Sequence, residues 1–405
     1  MLHRGTGSMN ARPGMQHAAE RLDAIERFHV LSILARARAL EEAGRSIIHL
    51  EIGEPDFDTV APIRDAGAQA ILRGDTHYTP ALGLPALRNA ISRFYAQRYG
   101  AEVEADRIVV TPGASGALLL ALSLLVDPGD EVLLPDPCYP ANRNFVRLLN
   151  GSPAGIPVGP DSRYQLQAVH IARHWRERTV AALVASPSNP TGTLLELAEI
   201  AALNHAVSAR GGALIVDEIY HGLTYGEEPS TALSCGNDIL VVNSFSKYFG
   251  MTGWRLGWLV VPPRFVDAAE RIAQNIFLAP PTAAQHAALA AFAPEALVLL
   301  DQRREEFRRR RDFLLPALRN LGFRIPQVPE GAFYIYADCS DLAGDGMKLA
   351  QSLLEEEGVA ITPGVDFGSH QASQHVRFAY TRPVEVLQEG VARMARFFGR
   401  HPLRS

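Results

Sequence analysis

The chain has 405 residues, of which 47% are hydrophobic and 20% are charged, and its formal net charge is -5 at pH 7. This length predicts two or three domains, and this composition is typical of a folded globular protein rather than a disordered one. Because acidic residues outnumber basic residues, 44 to 39, there is no basic excess that would hold nucleic acid nonspecifically, and we expect no nucleic-acid partner.

The N-terminal region is expected to be loose over residues 1–23 and to contain no secretion signal, because its first twenty residues lack an apolar segment. Apolar residues recur at helical spacing between 24 and 43, and Gly44 ends this helix. The apolar segment 47–53 then predicts a strand that leads into a turn-rich stretch.

Predicted strands and helices alternate between residues 62 and 260. The strands cover 107–111, 131–135, 180–186, 212–217, 239–245 and 255–261, and the clearest helices cover 84–99, 116–126 and 196–209. Short strands that are apolar on both faces and separated by helices predict a mostly parallel sheet, covered by helices on both faces. Ligands of such a sheet bind beyond the carboxyl ends of its strands.

The pattern changes after Pro280. A helical region is predicted over 282–320, and we interpret its charged run DQRREEFRRRRDF as a solvated helix face with ion pairs. Two strands, GAFYIYAD and HVRFAYT, then alternate with predicted helices at 346–357 and 384–398. The sequence therefore predicts a second, smaller α/β domain.

Three cysteines, Cys138, Cys235 and Cys339, are far apart and form no CxxC pair. This number and spacing argue against a disulfide framework and against a structural zinc site, so we expect no metal. No run of about 18 apolar residues occurs, which argues against a membrane-spanning segment. We expect a cytoplasmic protein.

Lys247 lies directly after a buried strand in the segment SFSKYFGMTGWRLGW, residues 244–258. Apolar surroundings and a nearby cation, here Arg255, both favour the neutral and nucleophilic form of an amine. An unreactive lysine at a strand end is the simpler interpretation, so Lys247 by itself does not identify a reaction.

A glycine turn follows the strand at 107–111. In TPGASGALLLAL, Gly113 and Gly116 permit a tight turn, and the amides of Ala114 and Ser115 are free to bind an anion such as a phosphate at a helix N-terminus. The segment matches neither the dinucleotide pattern GxGxxG nor the P-loop pattern.

Two further loops follow predicted strands. Asn189 lies in SPSNPTGT, and VDEIYHGLTY ends a buried strand with Asp217. A carboxylate at the end of an apolar strand calls for a cationic partner, although capping of the next turn is the simpler interpretation.

Taken together, these segments resemble one family. IIHLEIGEPDF, YTPALGLPALRNAI, SNPTGT, VDEIY and SFSKYFGMTGWRLGW match, in order and spacing, the class I/II pyridoxal-phosphate-dependent aminotransferases of the aspartate aminotransferase fold type I. The resemblance runs from about Phe28 to Thr381. It implies a large domain over 61–290 that binds pyridoxal 5'-phosphate, and a small domain built from both chain ends, 24–60 and 291–405.

The resemblance assigns roles around the cofactor ring. Lys247 would form the Schiff base and then carry a proton, and Asp217 would pair with the pyridine nitrogen. Tyr220 and Asn189 would hydrogen-bond the phenolic oxygen, and Tyr139 would stack on the ring.

It also assigns the phosphate and substrate contacts. The phosphate would be held by the glycine turn, two serines and one arginine: Ala114, Ser115, Ser244, Ser246 and Arg255. Tyr78 would reach the phosphate of a neighbouring subunit, which implies a homodimer. The substrate would lie near Gly53 and Asn189, and Arg377 would bind its α-carboxylate as a bidentate pair.

The implied reaction moves the amino group of an L-amino acid to a 2-oxo acid, with 2-oxoglutarate as the expected acceptor, in two half-reactions linked by pyridoxamine phosphate. The resemblance thus implies a place in amino acid metabolism and biosynthesis. An aspartate aminotransferase is one interpretation, and alanine, aromatic or branched donors stay open. Dicarboxylate-specific members use a second cation, for which Arg143 and Arg147 are candidates by proximity only; a surface helix charge is the simpler interpretation.

Two alternatives remain. A C–S β-lyase on the same scaffold would carry the same motifs. A regulator that keeps the fold as a ligand-binding domain is disfavoured, because the 20 to 25 residues before the first helix are too few for a DNA-binding module.

Overall fold

A computed structural model of the protein describes residues 18–401. Helices α1 to α6 span His29–Glu42, Ala61–Arg73, Pro85–Tyr99, Gly113–Ser123, Pro140–Leu148 and Ala168–His174. Helices α7 to α12 span Leu197–Ser208, Val266–Ile276, Thr282–Leu289, Pro294–Asn320, Gly346–Ser352 and Val384–Arg400. Most of the predicted loose segment, residues 1–17, lies outside the described residues, and Glu20–Ala24 forms a short 3-10 helix.

The strands are short. Strands β1 to β6 span Ile48–His49, Ile108–Thr111, Glu131–Asp136, Ser152–Pro157, Thr179–Ala185 and Ala213–Asp217. Strands β7 to β12 span Leu240–Ser244, Gly257–Val260, Tyr334–Asp338, Val359–Ala360, Thr362–Pro363 and His375–Ala379.

The largest sheet has the strand order β2-β8-β7-β6-β5-β3-β4. Strand β8 is antiparallel to both of its neighbours, and the other pairs are parallel. Alternate residues of β6 enter two separate hydrophobic clusters, Leu214 and Val216 on one face, Ala213 and Ile215 on the other. The predicted mostly parallel sheet with two covered faces is therefore confirmed.

Two smaller sheets join the chain ends. Strand β1 pairs in parallel with β10, and β11, β12 and β9 form an antiparallel sheet. Leu50 links the two, because its N–H donates to the Ala360 carbonyl while its own carbonyl accepts from Ala379 N. A smaller α/β unit built from both chain ends is thus part of the fold, while the domain boundaries stay predictions.

Several predicted elements differ in extent from the observed ones. The predicted strand 47–53 contributes only Ile48–His49 to a ladder, because the chain then turns toward the carboxyl edge of the large sheet. The predicted helix over 282–320 is broken before Pro294, which begins α10 after a bend of 83°. Strand β4, at the sheet edge, carries two prolines and a glycine and had no strand signal in its sequence.

The charged run in α10 is only partly solvated. Arg308 pairs with Glu305 and Asp312 on the exposed face, as expected for such spacing. Arg310 instead is buried and pairs with Asp56 at 2.8 Å. The expectation of a wholly solvated face was wrong at this position, because Asp56 comes from a distant loop.

Within residues 18–401, no single helix has the length and apolar character needed to cross a membrane. One bent pair, Thr282–Phe292 with Pro294–Asn320, meets the criteria of length and composition when its two parts are counted together.

Candidate active site

The carboxyl ends of five strands meet at one edge of the large sheet. Strands β2, β3, β5, β6 and β7 run in the same direction, and Ala185 of β5 lies beside Asp217 of β6. The loops that follow these strands therefore gather their polar side chains at this edge. Strand β8 runs the other way, so its amino end brings the preceding Arg255 to the same place.

A cavity of about 310 Å³ opens at this edge. It is lined by eleven of the thirteen residues for which the sequence predicts a role: Gly53, Ala114, Ser115, Tyr139, Asn189, Asp217, Tyr220, Ser246, Lys247, Arg255 and Arg377. Their roles stay predictions, but the structure brings these eleven together.

Ser244 and Tyr78 do not line the cavity. The Ser244 hydroxyl lies behind Ser246, donates to the Leu256 carbonyl at 3.1 Å and hydrogen-bonds Ser246 Oγ at 3.0 Å. Ser244 thus supports the loop that carries Ser246. Tyr78 lies on the surface with 83% of its area exposed.

Lys247 points its amine into the cavity. Nζ donates to the Gly53 carbonyl at 2.7 Å and lies 5.8 Å from the centre of the Phe333 ring. Burial lowers the pKa of Lys247 to about 8; Glu54 opposes this shift, and Arg377 adds to it. A substantial fraction of this amine is therefore neutral near pH 8, as a nucleophile or proton acceptor requires.

Asp217 ends β6 as a buried carboxylate. Its Oδ1 accepts from Ile219 N at 3.0 Å, and burial raises its pKa to about 7. Among residues 18–401, no cation forms an ion pair with this carboxylate. A cation bound beside Asp217 in the cavity would give this carboxylate the ion-pair partner that residues 18–401 do not supply.

The glycine turn forms an anion cradle with Arg255. Gly113 begins α4 with a φ of +73°, and a β-carbon there would come within 2.6 Å of the Arg255 guanidinium. Only glycine combines this backbone conformation with this close approach. The first amides of α4, Ser246 and Arg255 thus surround a volume suited to a phosphate.

Arg377 lies on β12, at the side of the cavity formed by the smaller unit. It donates to the Asn189 side-chain oxygen at 2.9 Å and to Thr362 Oγ1 at 3.2 Å, and its guanidinium lies over the Tyr334 and Phe367 rings. Its Nε–H is buried without a hydrogen-bond partner among residues 18–401. These contacts fix a charged fork that still has donor capacity for a carboxylate.

Tyr334 is a cavity residue that the sequence analysis missed. Its hydroxyl lies 2.9 Å from that of Tyr220, and burial raises the pKa of both phenols, so both stay protonated near neutral pH. A β-carbon on Gly53 would lie 1.9 Å from the Tyr334 hydroxyl, so residue 53 must be glycine. The sequence GAFYIYAD predicts a strand but not which of its side chains enters the cavity.

The first turns of α1 form another part of the cavity that was not predicted. Val30, Leu31 and Leu34 of this helix line the cavity, together with Phe28 directly before it. Asp366 holds the start of this helix, because its carboxylate accepts from His29 N at 2.6 Å and from Val30 N at 2.8 Å. This contact explains why α1 begins at His29 rather than at residue 24.

Arg143 and Arg147 do not line the cavity. Arg143 donates to the carbonyls of Phe367 and Asp366 at 2.8 and 3.0 Å, and Arg147 pairs with Glu26 at 3.3 Å. Both arginines are half-buried and hold neighbouring segments together, so the simpler interpretation of a surface helix charge does not describe them.

The sequence model for "Aminotransferase class I and II" matches residues 45–394. A (5-formylfuran-3-yl)methyl phosphate transaminase of Methanocaldococcus jannaschii is 36% identical over 387 residues, which cover 94% of this chain and 100% of that protein. A valine–pyruvate aminotransferase of Mycobacterium tuberculosis is 38% identical over 369 residues, which cover 91% of this chain and 95% of its own.

Solved structures agree with the sequence comparisons. The crystal structure of an aminotransferase from Mycobacterium tuberculosis superposes with a TM-score of 0.92 at 37% identity, over 95% of this chain and 100% of that one. Fold and cavity thus define an enzyme of the aminotransferase class. The chain belongs to the class I and II aminotransferase family.

Members of this family use pyridoxal 5'-phosphate and act on amino acids and 2-oxo acids. The cavity fits this cofactor by its own chemistry. One cavity is lined by the phosphate cradle, by a buried carboxylate that has no ion-pair partner among residues 18–401, and by an amine with a lowered pKa.

Proposed function

We propose that the protein transfers the amino group of an L-amino acid to a 2-oxo acid in two successive half-reactions on one enzyme-bound cofactor. The observation that carries this proposal is the placement of Lys247, Asp217 and Arg377 around one cavity. Lys247 can carry a proton, Asp217 can pair with a cationic ring, and Arg377 can bind a carboxylate.

When bound, pyridoxal 5'-phosphate supplies a carbonyl that condenses with amines and a ring that accepts electron density from the substrate's α-carbon. Asp217 would keep the ring nitrogen protonated, because a buried carboxylate lowers its own free energy by pairing with a cation. Tyr220 would donate its hydroxyl proton to the ring's phenolic oxygen, supported by Tyr334.

Arg377 would bind the α-carboxylate and Lys247 would move the proton. The guanidinium is oriented by Asn189 and by two aromatic rings, so the carboxylate would be held in one direction. The free Lys247 amine would take a proton from the substrate's α-carbon and deliver it to the carbon of the former carbonyl, two bonds away.

The acceptor is a separate question. The family resemblance predicts 2-oxoglutarate, but the relatives from Methanocaldococcus jannaschii and Mycobacterium tuberculosis differ in the substrates that their names state. Family membership therefore leaves the substrates open. The place in biosynthesis and the cytoplasmic location also stay predictions.

We further propose that the enzyme is a homodimer in which Tyr78 reaches the neighbouring active site. Large apolar side chains are exposed at the ends of two helices: Ile71 and Leu72 at the end of α2, which precedes Tyr78 in the chain, and Ile276 and Leu278 at and after the end of α8. The Thr282 hydroxyl donates to the His77 carbonyl at 2.7 Å and ties this loop to α9. Exposed apolar side chains such as these suit a subunit interface.

Stopped-flow absorbance tests the reaction. Holoenzyme is mixed with each of twenty L-amino acids without any oxo acid, and about one oxo acid per active site should form while the cofactor spectrum changes once. Adding pyruvate or 2-oxoglutarate should restore the spectrum. No change with any amino acid would contradict the proposal, and continuous release of pyruvate and ammonia would identify a β-lyase instead.

A further inference from the structure

The loop that joins β11 to β12, residues 364–374, contacts the large sheet through a buried carboxylate. Asp136 is the last residue of β3 and is only 7% exposed. Its side chain accepts from Ser369 N at 3.0 Å, from Ser369 Oγ at 2.9 Å and from His370 N at 3.3 Å. Three donors satisfy a buried carboxylate well, so the chemistry of Asp136 is directed at this loop.

The contact between the loop and Asp136 leaves no room for a side chain at residue 368. A β-carbon on Gly368 would lie 1.6 Å from Asp136 Oδ1. The φ angle of Gly368 is outside the left-handed region, so its backbone could belong to any residue. The close approach of the carboxylate is therefore what requires glycine at this position.

The segment that follows β3 holds the same loop by its carbonyls. Cys138 N donates to the Phe367 carbonyl at 2.8 Å. The Arg143 side chain donates to the carbonyls of Phe367 and Asp366 at 2.8 and 3.0 Å. Residues 366–370 are thus bound at both N–H and C=O groups by one short part of the large sheet, which gives the loop a fixed position on it.

Phe367 connects this loop to the cavity. Its ring is buried, lines the cavity and lies 4.8 Å from the Arg377 guanidinium, close enough for a cation–π contact. Asp136 itself does not line the cavity. Any effect of Asp136 on Arg377 therefore passes through the loop and the Phe367 ring.

We propose that Asp136 is a positioning residue for the substrate's α-carboxylate. This inference rests on the proposed function, in which Arg377 binds that carboxylate and the large sheet holds the cofactor. Asp136 fixes the loop of the smaller unit on the large sheet and so sets where the Arg377 fork lies relative to Lys247. A small displacement of the fork weakens a bidentate contact, whereas groups on the strands of the large sheet keep their places.

The test is the concentration dependence of the first half-reaction. Holoenzyme is mixed with the L-amino acid that reacts fastest with wild type, and the stopped-flow rates give an apparent Kd and a limiting rate. In Asp136→Ala the apparent Kd should rise about threefold to tenfold, while the limiting rate changes less than about twofold. Titration of the cofactor-free enzyme with pyridoxal 5'-phosphate should give a cofactor Kd within about twofold of wild type.

Asp338→Ala is the matched control. Asp338 is also a carboxylate of low exposure that holds a loop, because it accepts from Ser340 N at 2.8 Å and pairs with Arg324 at 2.7 Å, but it does not line the cavity or contact Phe367. This variant should leave the apparent Kd of the donor and the Kd of the cofactor unchanged. An equal rise of the donor Kd in both variants would overturn the inference.

Gly368→Ala adds a test that general damage to the fold would not pass. Its methyl group meets the Asp136 carboxylate, so the apparent Kd of the donor should rise about threefold or more. In the Asp136→Ala background the same change should have less than about a twofold effect, because the carboxylate is gone. Losses that multiply in the double variant would contradict a contact between these two residues.

Each remaining outcome also decides the question. An unchanged donor Kd in Asp136→Ala, or an equal rise of donor and cofactor Kd, would overturn the inference, the latter because it indicates damage to the cofactor site near Tyr139. If Asp136→Ala does not fold, Gly368→Ala and Ser369→Ala replace it, and unchanged donor Kd values in both would overturn it. No reaction of wild type with any amino acid would instead contradict the proposed function.

Discussion

At the scale of single residues, burial shifts Lys247 and Asp217 in opposite chemical directions. The amine becomes easier to deprotonate, with a pKa near 8, and the acid becomes harder to ionise, with a pKa near 7. Each group is thus held in a state that costs stability unless a ligand engages it. Asp217 is therefore suited to bind a cation, and Lys247 is suited to react with a carbonyl.

Asp217→Asn tests this cost. The raised pKa means that the folded protein binds the Asp217 proton more tightly than the unfolded chain does. Ionisation of Asp217 therefore lowers the free energy of unfolding of the protein as pH rises from about 4 to about 7. At pH 8 the cofactor-free variant should therefore have a free energy of unfolding about 1–4 kcal/mol higher than wild type, while turnover of the holoenzyme falls about 100-fold or more.

Urea denaturation of the two cofactor-free proteins at several pH values measures this difference, which should vanish near pH 4. A variant that is less stable than wild type at pH 8 would show that the carboxylate already has a stabilising partner within the chain.

Single residues could be predicted from sequence where a motif surrounds them. Lys247, Asp217 and Asn189 lie in short segments after strands, and all three line the cavity. Tyr334 could not be found in this way, because its hydroxyl contact with Tyr220 spans 114 positions and no local pattern shows which way its ring points.

At the scale of elements, helix α1 begins where Asp366, a residue near the other end of the chain, binds its first amides. The Asp366 carboxylate satisfies two amides of α1 across more than 300 positions. The hydrophobic spacing of this region predicts a helix from residue 24, but its observed start at His29 depends on this distant cap. Strand β4 was missed for a similar reason, since pairing with β3 imposes extended backbone on a segment rich in proline and glycine.

Asp366→Ala should lower the free energy of unfolding by about 1 kcal/mol and should also raise the KM for the amino donor, because the loosened helix carries part of the cavity wall. Thermal denaturation and steady-state kinetics measure the two effects. Asp345→Ala is the matched control, since Asp345 caps α11 through the amides of Met347 and Lys348 away from the cavity. A similar rise of KM in both variants would show that lost stability, not the position of α1, is responsible.

At the scale of the whole molecule, the fold joins distant parts of the chain at one sheet edge. The alternation of strands and helices was enough to predict the large sheet and the edge at which ligands bind. It could not predict that β8 runs antiparallel, although this direction is what brings Arg255 beside Gly113. Strand direction depends on long-range pairing that a local pattern does not contain.

The proposed dimer predicts complementation between two defective variants. Tyr78→Ala and Lys247→Ala should each have low activity at limiting cofactor, but a hybrid dimer would contain one intact site. Random reassociation of equal amounts should therefore restore about a quarter of wild-type activity. A mixture of Lys247→Ala and Lys247→Arg should stay inactive. Absence of any gain in the first mixture would contradict a shared active site.

The role of Lys247 can be tested directly because lysine occurs only at positions 247 and 348. Holoenzyme is reduced with borohydride and digested, and the peptides are identified by mass spectrometry. We expect the reduced cofactor to be attached to Lys247 in nearly every chain and exposed Lys348 to be unmodified. Lys348→Ala should retain full labelling, and Lys247→Ala should lose it. Attachment to Lys348, or no attachment to a protein that still transfers amino groups, would contradict the assignment of Lys247 as the reactive amine.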